Sequence, residues 1–199
     1  MNFVSANPSI VRSIRQRAML NAWLRLYAQL QEPPQFENFK LNRLSDELDE
    51  IVFYLVEASG DAVKFLIEND GRRTYQAYGG TGKGRYLHEY VPPKLRDIVL
   101  PVYIECVRRR LPVFTVSKVN DVNGVEVEVE RLLLPFSGGS GIEKIIASLN
   151  TISIDGAFEI KNLMRSDENL PLYEVLSIID QRLFHNQAGQ KTVADLDLN

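Results

Sequence analysis

The chain has 199 residues, 45% hydrophobic and 25% charged, with a net charge of −3; this suits one globular domain with a core of its own and excludes a general attraction to phosphate backbones. No run approaches the roughly 18 apolar residues of a membrane span, and the N-terminus MNFVSANPS lacks the basic-then-apolar pattern of a signal peptide. One cysteine, Cys106, and two histidines, His88 and His185, exclude an internal disulfide and a thiolate-rich zinc site and fit a reducing, cytoplasmic setting, while a carboxylate-based metal site stays open on counting.

In chain order, residues 8–31 are predicted to be helical, with Asn7 or Ser9 as cap and Pro8 at an early position. Ile14, Ala18, Trp23, Tyr27 and Leu30 recur at helical spacing. Arg12, Arg15, Arg17 and Arg25 make the helix basic, which fits a solvated face on a helix packed on its own domain or on a twin. A membrane-surface adaptor is the alternative. Pro33-Pro34 ends the helix. Residues 51–56 and 62–67 are predicted strands joined by Ser59-Gly60-Asp61, and 72–78 a short helix or irregular segment. Residues 79–85, GGTGKGR, form a loop. Residues 93–110 give the clearest helix, with Leu95, Val99, Val102, Tyr103 and Cys106 on one face and Pro101 as an expected kink or break.

A hairpin follows: a strand from Val113, the turn Asn123-Gly124, then a strand in which Val125, Val127 and Val129 alternate with Glu126, Glu128 and Glu130. The alternation predicts one buried and one wet face. Arg131 takes the phase of the valines, so a regular strand points it inward, where it needs a partner; a bulge before Leu132 turns it out. An ion-pair role is expected, with binding of a ligand carboxylate as the alternative. Residues 142–154 fit helix or strand, and the preceding turn favours strand. Pro171 opens a last predicted helix with Leu172, Val175, Leu176, Ile179 and Leu183 as its stripe, followed by a polar tail. Strands and helices segregate, which predicts an α+β domain with a mainly antiparallel sheet and helices on one face. The expected organisation is a helix and linker over 1–44, a core over 45–156, a C-terminal segment with its helix over 157–186, and a tail over 187–199.

Four patches carry a family likeness: Val52-Phe53 through Asp70-Gly71; Tyr78-Gly79 with Gly84-Arg85 and Leu87; Leu111-Pro112-Val113; and Glu130-Arg131-Leu132-Leu133-Leu134-Pro135-Phe136-Ser137. Together they make about residues 20–155 resemble the single-domain PAS proteins common in alphaproteobacteria, a family of largely uncharacterised function. The family usually has threonine where Lys83 stands here. The resemblance implies a five-stranded antiparallel sheet that cups a small cavity under short helices. It also implies a non-enzymatic sensory or protein-interaction role. Tyr75, Tyr78, Tyr103 and Phe114 are the ligand-lining residues expected from fold position, with ordinary core packing as the plainer reading. A homodimer through the helix bearing Ile14, Trp23 and Tyr27, a signalling protein as partner, and no nucleic acid complete the expectation. The alternative from another class is a small enzyme or carrier similar to the ketosteroid-isomerase group, which needs a buried general base.

The glycine-rich loop lacks both the leading glycine and the hydroxyl after lysine that a phosphate loop requires, since Ala77 and Gly84 stand there. His88 is a weak haem ligand without a second ligand in the sequence. Cys106, between Glu105 and Val107 in an apolar stripe, lacks the surroundings of a flavin-adduct cysteine. The residues thus argue against haem and flavin. Neither histidine is placed beside a nucleophile.

Overall fold

The computed structural model describes residues 1–40, 48–59, 62–139, 141–153, 155–164 and 170–180. Within them the chain is α+β. Strands β1 (Val4–Ala6), β2 (Ile51–Ser59), β3 (Ala62–Asn69), β4 (Val113–Asn120), β5 (Glu126–Ser137), β6 (Ile142–Ile152) and β7 (Leu172–Ile179) form one sheet in the order β1-β7-β4-β5-β6-β2-β3. Strand β1 runs parallel to β7, and the other neighbours are antiparallel. The helices are α1 (Ile14–Leu30), α2 (Arg72–Tyr78), α3 (Leu87–Tyr90) and α4 (Pro93–Arg109). The sheet is therefore mixed and seven-stranded, where five antiparallel strands were expected. Residues 142–152 are a strand, as the turn before them indicated.

Strand β5 shows why helices cannot lie on one face alone. Val127, Val129 and Leu133 belong to one apolar cluster, with Leu95, Val99, Val102 and Tyr103 of α4. Leu132, Leu134 and Phe136 belong to another, with Met19, Leu20, Trp23 and Leu24 of α1. Adjacent residues of a strand point to opposite faces, so the two clusters are the two sides of the sheet. The wet face expected from the glutamates is thus covered. Glu130 is fully buried and bonds Arg12 and Asn150, and Glu128 pairs with Arg12 as well. Glu126 at the strand's start pairs with Lys118 across the hairpin.

Helix α1 begins later than the apolar spacing suggested. Asn7 caps a single 3-10 turn, Pro8–Ile10, through a bond from the Ser9 amide at 2.9 Å. Ser13 caps α1 itself. The helix lies on its own sheet: Trp23 is fully buried and its Nε1 donates to the Pro135 carbonyl at 2.7 Å. Gln16 Nε2 donates to the carbonyls of Glu130 and Ser148, stitching α1 to β5 and β6. Ile14 is 84% exposed and faces away. Ile14, Trp23 and Tyr27 therefore do not form one free stripe, and Trp23 cannot serve a dimer without leaving the core. The same packing occupies the apolar face that a membrane adaptor would insert, and Arg12 and Arg15 are engaged by Glu128, Glu130 and Glu50.

The expected C-terminal helix is strand β7. Its apolar residues fit helical spacing, but a short run rich in Val, Ile and Tyr reads either way. A strand buried on both faces settles it: Ser177, Ile178 and Ile179 are all buried between β4 and β1. Leu183 lies outside the described residues. Helix α4 runs unbroken through Pro101 and ends at Arg110, whose φ is 57°. Arg108 and Arg109 of its last turn pair with Glu105.

Trp23→Ala is expected to lower unfolding stability by about 3–5 kcal/mol, the usual result of emptying a large core site. Urea denaturation measures it; a loss under about 1 kcal/mol would mean that α1 is not part of the core.

Candidate functional site

Helix α2 leaves the end of β3 at Gly71, where a Cβ would lie 2.4 Å from the Asp49 carbonyl oxygen, so only glycine lets the chain turn here. Residues 157–164 return to α2 from the far side. The amides of Asn162 and Met164 donate to the carbonyls of Gln76 and Ala77, both at 2.9 Å. Asp121 ties the other end of this segment down: its carboxylate accepts the amides of Asn123, Val125 and Glu159, each at 2.8 Å.

Between α2, this segment and strands β5 and β6 lies a small cavity, partly open to solvent. Its walls are mostly apolar: Ala77, Val129, Leu149, Ile160, Leu163 and Met164. Tyr78 and the polar side chains Arg73, Thr74, Arg131 and Thr151 complete the lining.

Arg131 sets the electrostatics. Strand β5 is regular up to Phe136, so no bulge turns this residue out, and it is only 5% exposed. Its Nη1 donates a long bond of 3.4 Å to the Tyr173 hydroxyl, and its guanidinium lies 5.9 Å from the centre of the Tyr103 ring. Its Nε has no hydrogen-bond partner, and among the described residues no carboxylate pairs with it. The expected structural ion pair is absent from the described residues. Thr74, on α2, is 3% exposed, and its Oγ1 is likewise unpartnered.

The surrounding phenols are held neutral. Burial pushes the Tyr78 hydroxyl up to about 12, against the pull of Arg131. Burial also raises Tyr54 and Tyr103, which share a bond of 3.2 Å. For Arg131 burial acts downward and Tyr103, Tyr173, Tyr78 and Tyr54 act upward, the net direction being upward; a guanidinium is charged in proteins in any case.

Of the four aromatic residues expected to line a pocket, Tyr78 lines the cavity and Tyr103 lies beside Arg131. Tyr75 is 51% exposed on the outer side of α2. Phe114 is buried on the opposite face of the sheet, in the cluster beneath α1. Sequence reasoning placed Arg131 inward but missed Thr74, Tyr54 and Tyr173. Tyr173 was assigned to a helix, and a bulge in β7 re-aims it: Val175 pairs with Val116 and Tyr173 with Ser117, which leaves Glu174 over and turns Tyr173 to the Arg131 face.

The glycine-rich loop is tied down rather than loose. Asp70 accepts from Thr81 Oγ1 and the Gly82 amide, and Gly84 and Arg85 bond the backbone of Ile67. A carboxylate thus sits where a phosphate loop would present free amides. His88 lies on the surface, stacked on Tyr86, and His185 is outside the described residues. Cys106 is fully buried, its thiol pushed up by burial. Among the described residues no helix is long and apolar enough to cross a membrane, and no cluster of three or more His, Cys, Asp or Glu is arranged to hold a metal. No family model, curated protein or solved structure gives a significant match to the chain.

Asp121 makes a prediction about the cavity's cover. The Glu159 amide, followed by those of Val125 and Asn123, holds its carboxyl below the ordinary aspartate value against the effect of burial. Its contribution is full above the unfolded value of about 4 and fades as pH falls through the lower folded value. Asp121→Asn is expected to speed hydrogen exchange at the Glu159 amide by about tenfold or more relative to wild type at neutral pH, with α4 unaffected. NMR-detected exchange measures it, and equal rates would detach Asp121 from the cover.

Proposed function

We propose that the chain is a PAS-type sensory module that binds a small molecule between its sheet and α2 and signals through noncovalent contacts with partner proteins. Five of the strands support the comparison. The hairpin β2-β3 leads through two short helices and a longer one to the meander β4-β5-β6, and β6 pairs back onto β2. The cavity lies under a short helix, where the family likeness implies a ligand.

One observation carries the reading: two buried polar atoms, Arg131 Nε and Thr74 Oγ1, lack hydrogen bonds and belong to residues lining the same cavity. Leaving such groups unpaired costs about 1–3 kcal/mol each, and a ligand that pairs with them recovers it. The lining favours binding over catalysis. Among the described residues it offers a guanidinium, hydroxyls and a neutral phenol, and no carboxylate or imidazole to take a proton near neutral pH. The ketosteroid-isomerase-like alternative needs such a base. The attachment supports a signalling role: the segment 157–164 bonds α2 beside the cavity, so a ligand that favours one arrangement of the pair shifts its population.

Native mass spectrometry of the full chain is expected to show a retained small molecule in the wild type and none in Ala77→Leu, which fills the cavity. Hydrogen exchange at α2 and 157–164 should slow only in the loaded wild type. No retained mass, or equal retention in Ala77→Leu, would remove the cavity as a sensing site.

A further inference from the structure

Resting on this pocket reading, we infer that the ligand is a small organic carboxylate with an apolar tail, its head group paired with Arg131 and Thr74. Arg131 is a buried cation whose neighbours among the described residues are phenols, threonines, Arg73 and apolar groups, with no carboxylate paired to it. A buried charge without a counter-charge is among the costliest features a core can carry. Water can satisfy the donor but cannot neutralise the charge, whereas a carboxylate does both.

The geometry favours a carboxylate among anions. The guanidinium's Nε edge has no partner, and a planar guanidinium matches the two oxygens of a carboxylate. Thr74, on α2, lines the same cavity and carries a buried, unpartnered hydroxyl. The second cation of the lining, Arg73, contacts Glu50 at 3.6 Å and Thr151 at 3.3 Å, and the same Glu50 oxygen also pairs with Arg15 at 2.9 Å. The remaining lining, with Leu149, Ile160 and Met164, takes hydrocarbon. Met164 is the adjustable wall, since an unbranched thioether changes rotamer readily.

The test uses butyrate and benzoate, with butyramide and benzamide as uncharged partners of the same shape. Titration calorimetry on refolded full-length protein is expected to show each acid binding about tenfold or more tightly than its amide. Arg131→Met abolishes that preference, Arg131→Lys keeps part of it, and Thr74→Val weakens the acids by a smaller factor with the fold intact. Without ligand, Arg131→Met melts no lower than wild type, because it removes a charge that has no counter-charge among the described residues.

Three results overturn the inference. Acids and amides bound equally, and both lost in Ala77→Leu, leave the pocket but remove its charge selectivity. No binding of any of the four, with a different molecule retained in the native spectrum, likewise removes the carboxylate and keeps the pocket. Coupling of about tenfold or more in the folding equilibrium between Arg131→Met and Asp167→Asn/Glu168→Gln, which lie outside the described residues, assigns the guanidinium to the chain's own carboxylates.

Discussion

Strand β5 is apolar on both faces, and no sheet can leave such a strand in water on either side. One cover comes from α1 and the other from α4, and each places its largest side chains, Trp23 and Tyr103, over the middle of the sheet. The double cover also fixes the fate of two adjacent charges. Glu130 and Arg131 are neighbours in sequence and point to opposite sides, so they cannot neutralise each other. Glu130 meets Arg12 and Asn150, a fully satisfied arrangement. Arg131 meets tyrosines. The candidate site is therefore a by-product of packing only in its position; its charge, unmatched among the described residues, is a chemical choice, since a leucine in that place would fill the same phase of the strand.

Much of this was legible in the residues. The β2-β3 pair, α4, the β4-β5 hairpin and β6 follow from periodicity and turn chemistry, and α2 is one of the two readings open for 72–78. The inward phase of Arg131 followed from strict alternation along β5. What misled were the ends. At Ser13 a cap lies inside an apolar stretch that also suits a longer helix, and the real start depends on β1 pairing with a strand some 170 residues away. At 172–179 a run of Leu, Val and Ile satisfies both periods, and only the empty edge of β4 decides between them. The wet face assigned to Glu128 and Glu130 failed for the same reason: a strand's alternation says which residues share a side and nothing about what arrives to cover it.

The site was half readable. Tyr78 and Tyr103 could be placed because the helices holding them were placed. Phe114 was misassigned by one step of strand phase, which is enough to move a side chain through the sheet. Tyr173 was beyond reach, because a bulge in β7 leaves almost no trace in local sequence, and without it the hydroxyl would lie on the far side from Arg131.

The place of β7 between β4 and β1 bears on how the protein is made. Strands β2 and β3, and β4, β5 and β6, pair with sequence neighbours, β2 meets β6 further along the chain, and all of these can associate while synthesis continues. Until residues 172–179 leave the ribosome, β4 presents an open row of amides and carbonyls, and residues 4–6 have nothing to join. A nascent chain halted at residue 160 would carry a nearly finished sheet with an adhesive border, the condition under which two unfinished copies pair with each other. Release of β7 closes that border, and its pairing with β1 joins segments from nearly opposite ends of the chain, a non-local contact of the kind that slows folding.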